Sequence, residues 1–167
     1  MRKPAAAIAS AAFFVAAPGT VAGLVPWLVT RWQLPDAGAV WRMVQVVGVV
    51  LIVAGAIPPI HAFAQFVRAG GTPMPIAPTQ RLVVTGFNRY LRNPMYAGLL
   101  LVIIGQAMLF RSGGLVVYAV VVWAVTASFV RWYEEPTLTR QYGSEYVTYR
   151  RSVPAWWPRL RPWTPPV

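Results

Sequence analysis

Residues 43–67, MVQVVGVVLIVAGAIPPIHAFAQFV, decide the fold class because they contain no charged side chain. A helix needs about 20 apolar residues to cross a bilayer core of about 30 Å. Three further windows lack charge in the same way, at residues 4–30, 93–110 and 112–130. The sequence therefore predicts an all-α polytopic membrane protein with four transmembrane helices, forming a single domain over residues 1–167.

The composition supports this interpretation. Hydrophobic residues make up 57% of the 167 residues and charged residues only 11%, whereas a soluble domain carries about 25% charged residues. The chain has no cysteine and one histidine. Disulfide scaffolds, iron–sulfur clusters and thiol redox chemistry are therefore excluded, and we expect no metal site.

The predicted spans are residues 5–30, 41–66, 94–111 and 113–133. Of the 15 basic residues, 12 lie on the side that holds both termini, which the positive-inside rule places in the cytoplasm. Much of the net charge of +11 is thus a topology signal, and no soluble face remains for nucleic acid. We expect an integral protein of the cell inner membrane, surrounded by lipids, whose first span is retained and not cleaved as a signal.

Proline marks irregular positions in two spans and at the end of a third. Pro26 and the Pro58-Pro59 pair predict kinks or ends in the first two spans. The residue before a proline disfavours helix, so the fourth helix is expected to break at Glu135 and restart at Pro136. Beyond it, residues three or four apart predict one amphipathic cytoplasmic helix face: Leu138, Tyr142, Tyr146, Tyr149 and Val153.

Two cytoplasmic segments carry the polar chemistry. The loop at residues 69–92 is rich in Gly and Pro and leads into Pro94, whose helical turn leaves N–H groups for an anion. The alternative is a solvated connector. The segment at residues 134–167 begins with Glu134 and Glu135, two of only four acids. Spacing alone equally favours an ion pair with a neighbouring arginine.

Two blocks of sequence resemble one family. Residues 82–86, Leu-Val-Val-Thr-Gly, and residues 92–98, Arg-Asn-Pro-Met-Tyr-Ala-Gly, resemble the Arg-His-Pro-x-Tyr-x-Gly region of integral-membrane methyltransferases. Residues 134–154 contain Glu-Glu-Pro-x-Leu, Tyr-Gly-x-Glu-Tyr-x-x-Tyr and Val-Pro, which are similar to the second block of that family. The family includes isoprenylcysteine carboxyl methyltransferases and phospholipid methyltransferases. The resemblance covers about residues 78–158.

The resemblance implies a cytoplasmic site for S-adenosyl-L-methionine. Carried over by position, the cofactor contacts are Gln80, Arg81, Leu82, Val83, Asn88, Asn93, Pro94, Met95, Tyr96, Glu134 and Glu135. Carboxylates stabilise the ammonium and sulfonium of this cofactor, and N–H groups at a helix start bind its carboxylate. Asn93 stands where the family has histidine, so this position can donate and accept hydrogen bonds but cannot titrate.

The resemblance also implies a lipophilic or membrane-associated methyl acceptor, with a carboxylate, thiol or amine as the accepting group. Displacement at a sulfonium mainly requires alignment, and no catalytic residue is assigned. Arg131 and Arg150 are candidates for holding an acidic acceptor, although lipid phosphate is an alternative partner. His61 is the only side chain that titrates near neutral pH, although packing is its more common role.

Other classes of protein are weaker alternatives. A membrane reductase of the sterol-reductase type, using NADPH, shares a similar C-terminal block but is normally longer. A small transporter would need an acid within a span, and a scaffold would not need the glutamate pair beside the Arg-Asn-Pro motif. The sequence identifies neither the acceptor atom nor the oligomeric state.

Overall fold

The computed structural model describes residues 16–36, 38–68, 82 and 84–165. All regular structure in these residues is helical, which confirms the all-α class for the described chain. The elements are α1 (Ala16–Thr30), α2 (Ala39–Arg68), a 3-10 turn (Gly86–Arg89), α3 (Pro94–Leu109), α4 (Gly113–Phe129), α5 (Glu135–Tyr142) and α6 (Ser144–Ser152). The start of the first predicted span, most of the 69–92 loop and residues 166–167 lie outside the described residues.

Among the described residues, two helical stretches are long and apolar enough to cross a membrane. They are Ala39–Ala64 in α2 and Gly113–Tyr142, which joins α4 to α5, with mean hydropathies of 2.2 and 2.0. Only 11% and 17% of their apolar windows are buried, so most of these side chains face outward, as lipid contact requires. The apolar helix α3 has 16 residues and rises about 24 Å. A four-span arrangement remains a prediction.

Helices α2 and α3 form an antiparallel pair whose backbones touch at glycine. Gly48 lies against Gly105 and Gly55 against Gly98, and a Cβ atom on Gly55 would come within 2.5 Å of the Gly98 carbonyl oxygen. Small residues allow this close approach between membrane helices. The pairing fixes the C-terminal part of α2 beside the first turn of α3, where the Arg-Asn-Pro motif begins.

The prolines do not end the helices. Helix α2 runs through Pro58 and Pro59, and the predicted break at Glu135 is wrong because the helix continues from Gly113 to Tyr142. A π-helical turn, Val130–Glu134, precedes Pro136, and the Glu135 N–H bonds the Val130 carbonyl. This wider turn provides a local adjustment of the hydrogen-bond ladder ahead of a residue that lacks an N–H.

The predicted amphipathic helix is two helices, because Gly143 has φ 55° and ψ −127°, outside the helical region. The predicted face is nevertheless retained. Tyr146, Tyr149 and Val153 are buried together with Trp163, and Leu138 and Tyr142 pack against them. The chain after α6 therefore folds back over this face and returns towards the turn that precedes α3.

Candidate functional site

Arg92 joins the two sequence blocks. One guanidinium nitrogen, Nη1, lies 2.5 Å from Oε1 of Glu135, and both side chains are nearly buried. The Arg92 Nε donates to the Val153 carbonyl at 2.9 Å, and its backbone N–H donates to the Pro154 carbonyl at 2.9 Å. A buried ion pair with added hydrogen bonds holds the start of α3, the α4–α5 junction and the end of α6 together.

Glu135 is shared by three arginines. Besides Arg92, its Oε2 lies 3.2 Å from Arg150 and 3.6 Å from Arg131. The latter two side chains are 39% and 65% exposed, so these pairs contribute little to stability. The ion-pair interpretation therefore holds for Glu135. Three guanidinium groups around one carboxylate also leave a surplus of positive charge at the edge of the site.

Glu134 has a different environment, although it is adjacent in sequence. Its Oε2 is shielded from water and has no hydrogen-bond partner within the described part of the chain. The residue lies beyond Val130, where the charge-free run ends. Burial raises the pKa of Glu134 and the Glu135 carboxylate raises it further, while Arg92 lowers it. An ionised Glu134 would therefore be stabilised by a cationic ligand.

Asn93 and Leu82 contact the C-terminal part of the chain. Asn93 is 7% exposed, precedes α3, and donates from its side-chain Nδ2 to the Ala155 carbonyl at 3.1 Å. The backbone N–H of Leu82 donates to a carboxylate oxygen of Glu145 at 2.9 Å. Both residues thus position the C-terminal segment, and the polar side chain at 93 achieves this without a titrating group.

A pocket of about 60 Å³ lies between the C-terminal part of α2 and the start of α3. Its lining residues are Pro58, His61, Ala62, Thr85, Phe87, Asn88, Pro94 and Met95. The His61 ring stands edge-on to Phe87, with ring centroids 5.2 Å apart. Drug-sized ligands occupy about 300–1,000 Å³, so this pocket holds a fragment of such a molecule.

The structure brings most of the sequence-predicted residues to one end of the helices. His61, Asn88, Pro94 and Met95 line the pocket, Tyr96 lies in the first turn of α3, and Arg131 and Arg150 flank Glu135. Gln80, Arg81 and Val83 lie outside the described residues.

Sequence reasoning gave no individual role to Arg92 or to the two buried tyrosines. Tyr149 donates from its hydroxyl to the Asn88 carbonyl at 2.7 Å, and burial raises its pKa. Burial also raises the pKa of Tyr146, while the nearby Arg92 lowers it. The sequence signal for these residues was the spacing of the tyrosines, which predicts that they share one buried face. Because a buried phenol needs a polar partner, hydrogen bonds from this face could have been expected.

Comparison with known proteins gives three findings. A family model described as phospholipid methyltransferase matches residues 43–145. Protein-S-isoprenylcysteine O-methyltransferase B of Arabidopsis thaliana is 37% identical over 76 residues, or 45% of this chain and 38% of that protein. Protein-S-isoprenylcysteine O-methyltransferase A of the same plant is 30% identical over 131 residues, or 78% of this chain and 62% of that protein.

The chain therefore spans less than two thirds of the length of either relative. No solved structure matches it significantly. The matches confirm the resemblance that the two sequence blocks indicated.

Proposed function

Because the chain belongs to the phospholipid methyltransferase family, we propose that it transfers a methyl group from S-adenosylmethionine to a lipophilic acceptor at the cytoplasmic face of a membrane. The observation that carries this proposal is the unequal use of the two glutamates. Glu135 forms ion pairs with three arginines. The Oε2 atoms of both glutamates are shielded and have no hydrogen-bond partner among the described residues, but Glu134 forms no ion pair with any described residue. A ligand that carries both an ammonium and a sulfonium suits the Glu134 oxygen.

The methyl donor supplies an electrophilic methyl group when bound, and the residues of this chain bind and orient it. Glu134 would bind a positive centre of the donor. The first turn of α3 begins with Pro94, and the Asn93 side chain makes no capping bond there. The backbone N–H groups of this turn therefore suit the carboxylate of the donor. The pocket at His61 and Met95 would take one part of the same molecule.

The surplus of positive charge around Glu135 supports an acceptor with an acidic group. Arg150 and Arg131 are partly exposed and would hold a carboxylate next to the donor. The two relatives are named for O-methylation of isoprenylcysteine, which favours a lipid-modified carboxylate, whereas the family description favours a phospholipid. A carboxylate or thiolate needs no base, and His61 would take a proton only from an amine acceptor.

We also propose four spans with both termini in the cytoplasm. The uneven distribution of basic residues and the outward-facing apolar side chains of α2 and α4 support this arrangement. The chain contains no cysteine, so a single Asp36→Cys variant gives an unambiguous labelling site. We expect a membrane-impermeant maleimide to label it only from the side opposite the cytoplasm. Labelling from the cytoplasmic side would overturn the topology.

The function is tested by titrating purified protein separately with S-adenosylmethionine and with NADPH. We expect saturable heat only with S-adenosylmethionine. Membranes containing the protein should then transfer the labelled methyl group of the donor into a lipid-soluble product. Binding of NADPH instead would favour the membrane-reductase alternative. If neither ligand binds, the proposed methyl transfer is contradicted, although the chain still belongs to the family.

A further inference from the structure

The segment after α6, residues 154–165, exposes two large apolar side chains. Trp157 is 78% exposed and Leu160 is 101% exposed. The ends of this segment are fixed, because Val153 and Trp163 belong to the buried cluster below α6. The middle of the segment therefore projects from a packed base, and it presents apolar groups where a water-facing loop would carry polar ones.

The position of Trp156 places this segment beside the apolar part of α4. The Trp156 ring contacts the Trp123 ring, with centroids 6.5 Å apart. Trp123 precedes Val130 by seven residues, which corresponds to about 10 Å along the helix. Beyond Val130, Trp132 and Tyr133 are 78% and 62% exposed. Indole and phenol rings at this level are typical of a membrane–water interface.

The charge of the segment also favours a lipid surface. Residues 154–165 contain Arg159 and Arg161 and no acid. The Arg161 side chain is exposed, so its guanidinium is available to a phosphate oxygen. A second copy of the chain would bring the same basic groups together, whereas anionic phospholipids attract them.

We propose that residues 156–161 form an interfacial anchor, inserted at the headgroup level of the cytoplasmic leaflet and held there by anionic phospholipid. This inference rests on the proposed membrane orientation of α4. Backbone N–H groups of Arg92, Arg159 and Trp163 donate to the carbonyls of Pro154, Tyr90 and Arg89 at 2.8–2.9 Å, so hydrogen bonds attach the anchor to the chain that leads into the motif at residues 92–96.

Fluorescent labelling in vesicles tests the anchor directly, because the chain has no cysteine of its own. Trp157→Cys and Leu160→Cys are each labelled with an environment-sensitive dye and reconstituted with anionic lipid. Val125→Cys, on the exposed apolar face of α4, is the control for lipid contact, and Ser144→Cys, exposed at the start of α6, is the control for water. Quenching is measured with lipids that carry a spin label near the headgroup, and with aqueous iodide.

We expect lipid quenching at positions 157 and 160 to exceed that at position 144 several-fold, with the order reversed for iodide. Omitting anionic lipid should lower lipid quenching at position 160, and Arg161→Gln should remove that dependence. Quenching at 157 and 160 like that at 144 would overturn the anchor, as would protection from both quenchers, which indicates a protein partner. If the label at 125 also avoids lipid, the membrane orientation in the proposed function fails as well.

Discussion

The described part of the chain contains two π-helical turns with the same arrangement in different surroundings. The turn Thr20–Leu24 in α1 is followed by Val25 and Pro26, and the turn Val130–Glu134 is followed by Glu135 and Pro136. In both, the N–H after the turn bonds the carbonyl of its first residue, five positions earlier. Each turn thus lies just ahead of a proline that the helix accommodates without ending.

The residues around each turn differ in kind. At the first turn, the Ala22 carbonyl accepts a hydrogen bond from Gln106 at 2.7 Å and the Val21 carbonyl accepts one from Tyr118 at 3.0 Å. The turn therefore attaches α1 to α3 and α4. At the second turn, Glu134 and Glu135 carry charge that meets Arg92. The comparison teaches that the same backbone irregularity serves packing between helices at one turn and places a charged cluster at the other, where the proposed function puts donor binding.

The largest effect is expected from Arg92→Leu, which removes the partner of a buried carboxylate at the second turn. Breaking a buried ion pair by deleting one partner costs about 3–5 kcal/mol, and the bond to the Val153 carbonyl is lost as well. Chemical unfolding in detergent micelles measures the loss. Arg140→Leu, at an exposed position on α5, is the control and should change stability by less than about 0.5 kcal/mol. Equal stability of the two variants would show that Arg92 does not hold the second turn.

Next in size is the effect of Glu134→Gln on donor binding. Loss of a charge-assisted hydrogen bond should weaken S-adenosylmethionine binding by about 1.5–3 kcal/mol. Glu135→Gln is the matched control, and it should lower stability because Arg92 loses its buried ionic partner. Calorimetric titration measures the affinities. Unchanged donor affinity in both variants would show that the glutamate pair has only a structural role. The two π-helical turns would then both serve packing.

These two variants also mark what the sequence could and could not predict. Charge-free windows predicted the helices, and the tyrosine spacing predicted the buried face of α5 and α6. Glu134 and Glu135 are adjacent, and local spacing separates them only through the exposed Arg131–Glu135 pair. The buried ion pair of Glu135 comes from Arg92, 43 residues away. The contact of Asn93 with Ala155 spans 62 residues and depends on the folded-back C-terminal segment.

The predicted break at Glu135 failed for a related reason. The bias of the residue before a proline is a property of the isolated chain. In the structure, the π turn removes the need to end the helix, and the Arg92–Glu135 pair fixes the residue that precedes Pro136. Tertiary contacts therefore outweighed the local bias of Glu135 against the helical conformation.

The raised pKa of Glu134 gives a pH dependence of intermediate size. In the free protein, burial favours the protonated acid, so the carboxylate stabilisation of a cationic donor is lost as pH falls through a range above the ordinary value of 4.5. We expect wild-type affinity for S-adenosylmethionine to decline when pH is lowered from neutral, and that of Glu134→Gln to stay nearly constant.

Stability should follow the opposite sign. Because the folded pKa of this acid is raised, its ionisation opposes folding, and stability falls as pH rises from 4.5 through the folded pKa. Glu134→Gln should remove this part of the decline in unfolding measurements. A wild-type protein whose donor affinity does not change with pH, over a range where Glu134 titrates by NMR, would contradict the ligand role of that carboxylate.

The smallest effect is expected at the first turn, from Gln106→Leu and Tyr118→Phe. Each removes one side-chain hydrogen bond to a carbonyl of α1, and such bonds between membrane helices contribute about 0.6 kcal/mol on average and about 1.7 kcal/mol at most. Unfolding in micelles should show losses of this size, smaller than for Arg92→Leu. Donor affinity should equal that of the wild type, because these bonds hold α1 against α3 and α4 and involve no residue of the candidate site. A loss of donor affinity as large as that of Glu134→Gln would show that the two turns act on one site, and the division between a packing turn and a ligand turn would then be wrong.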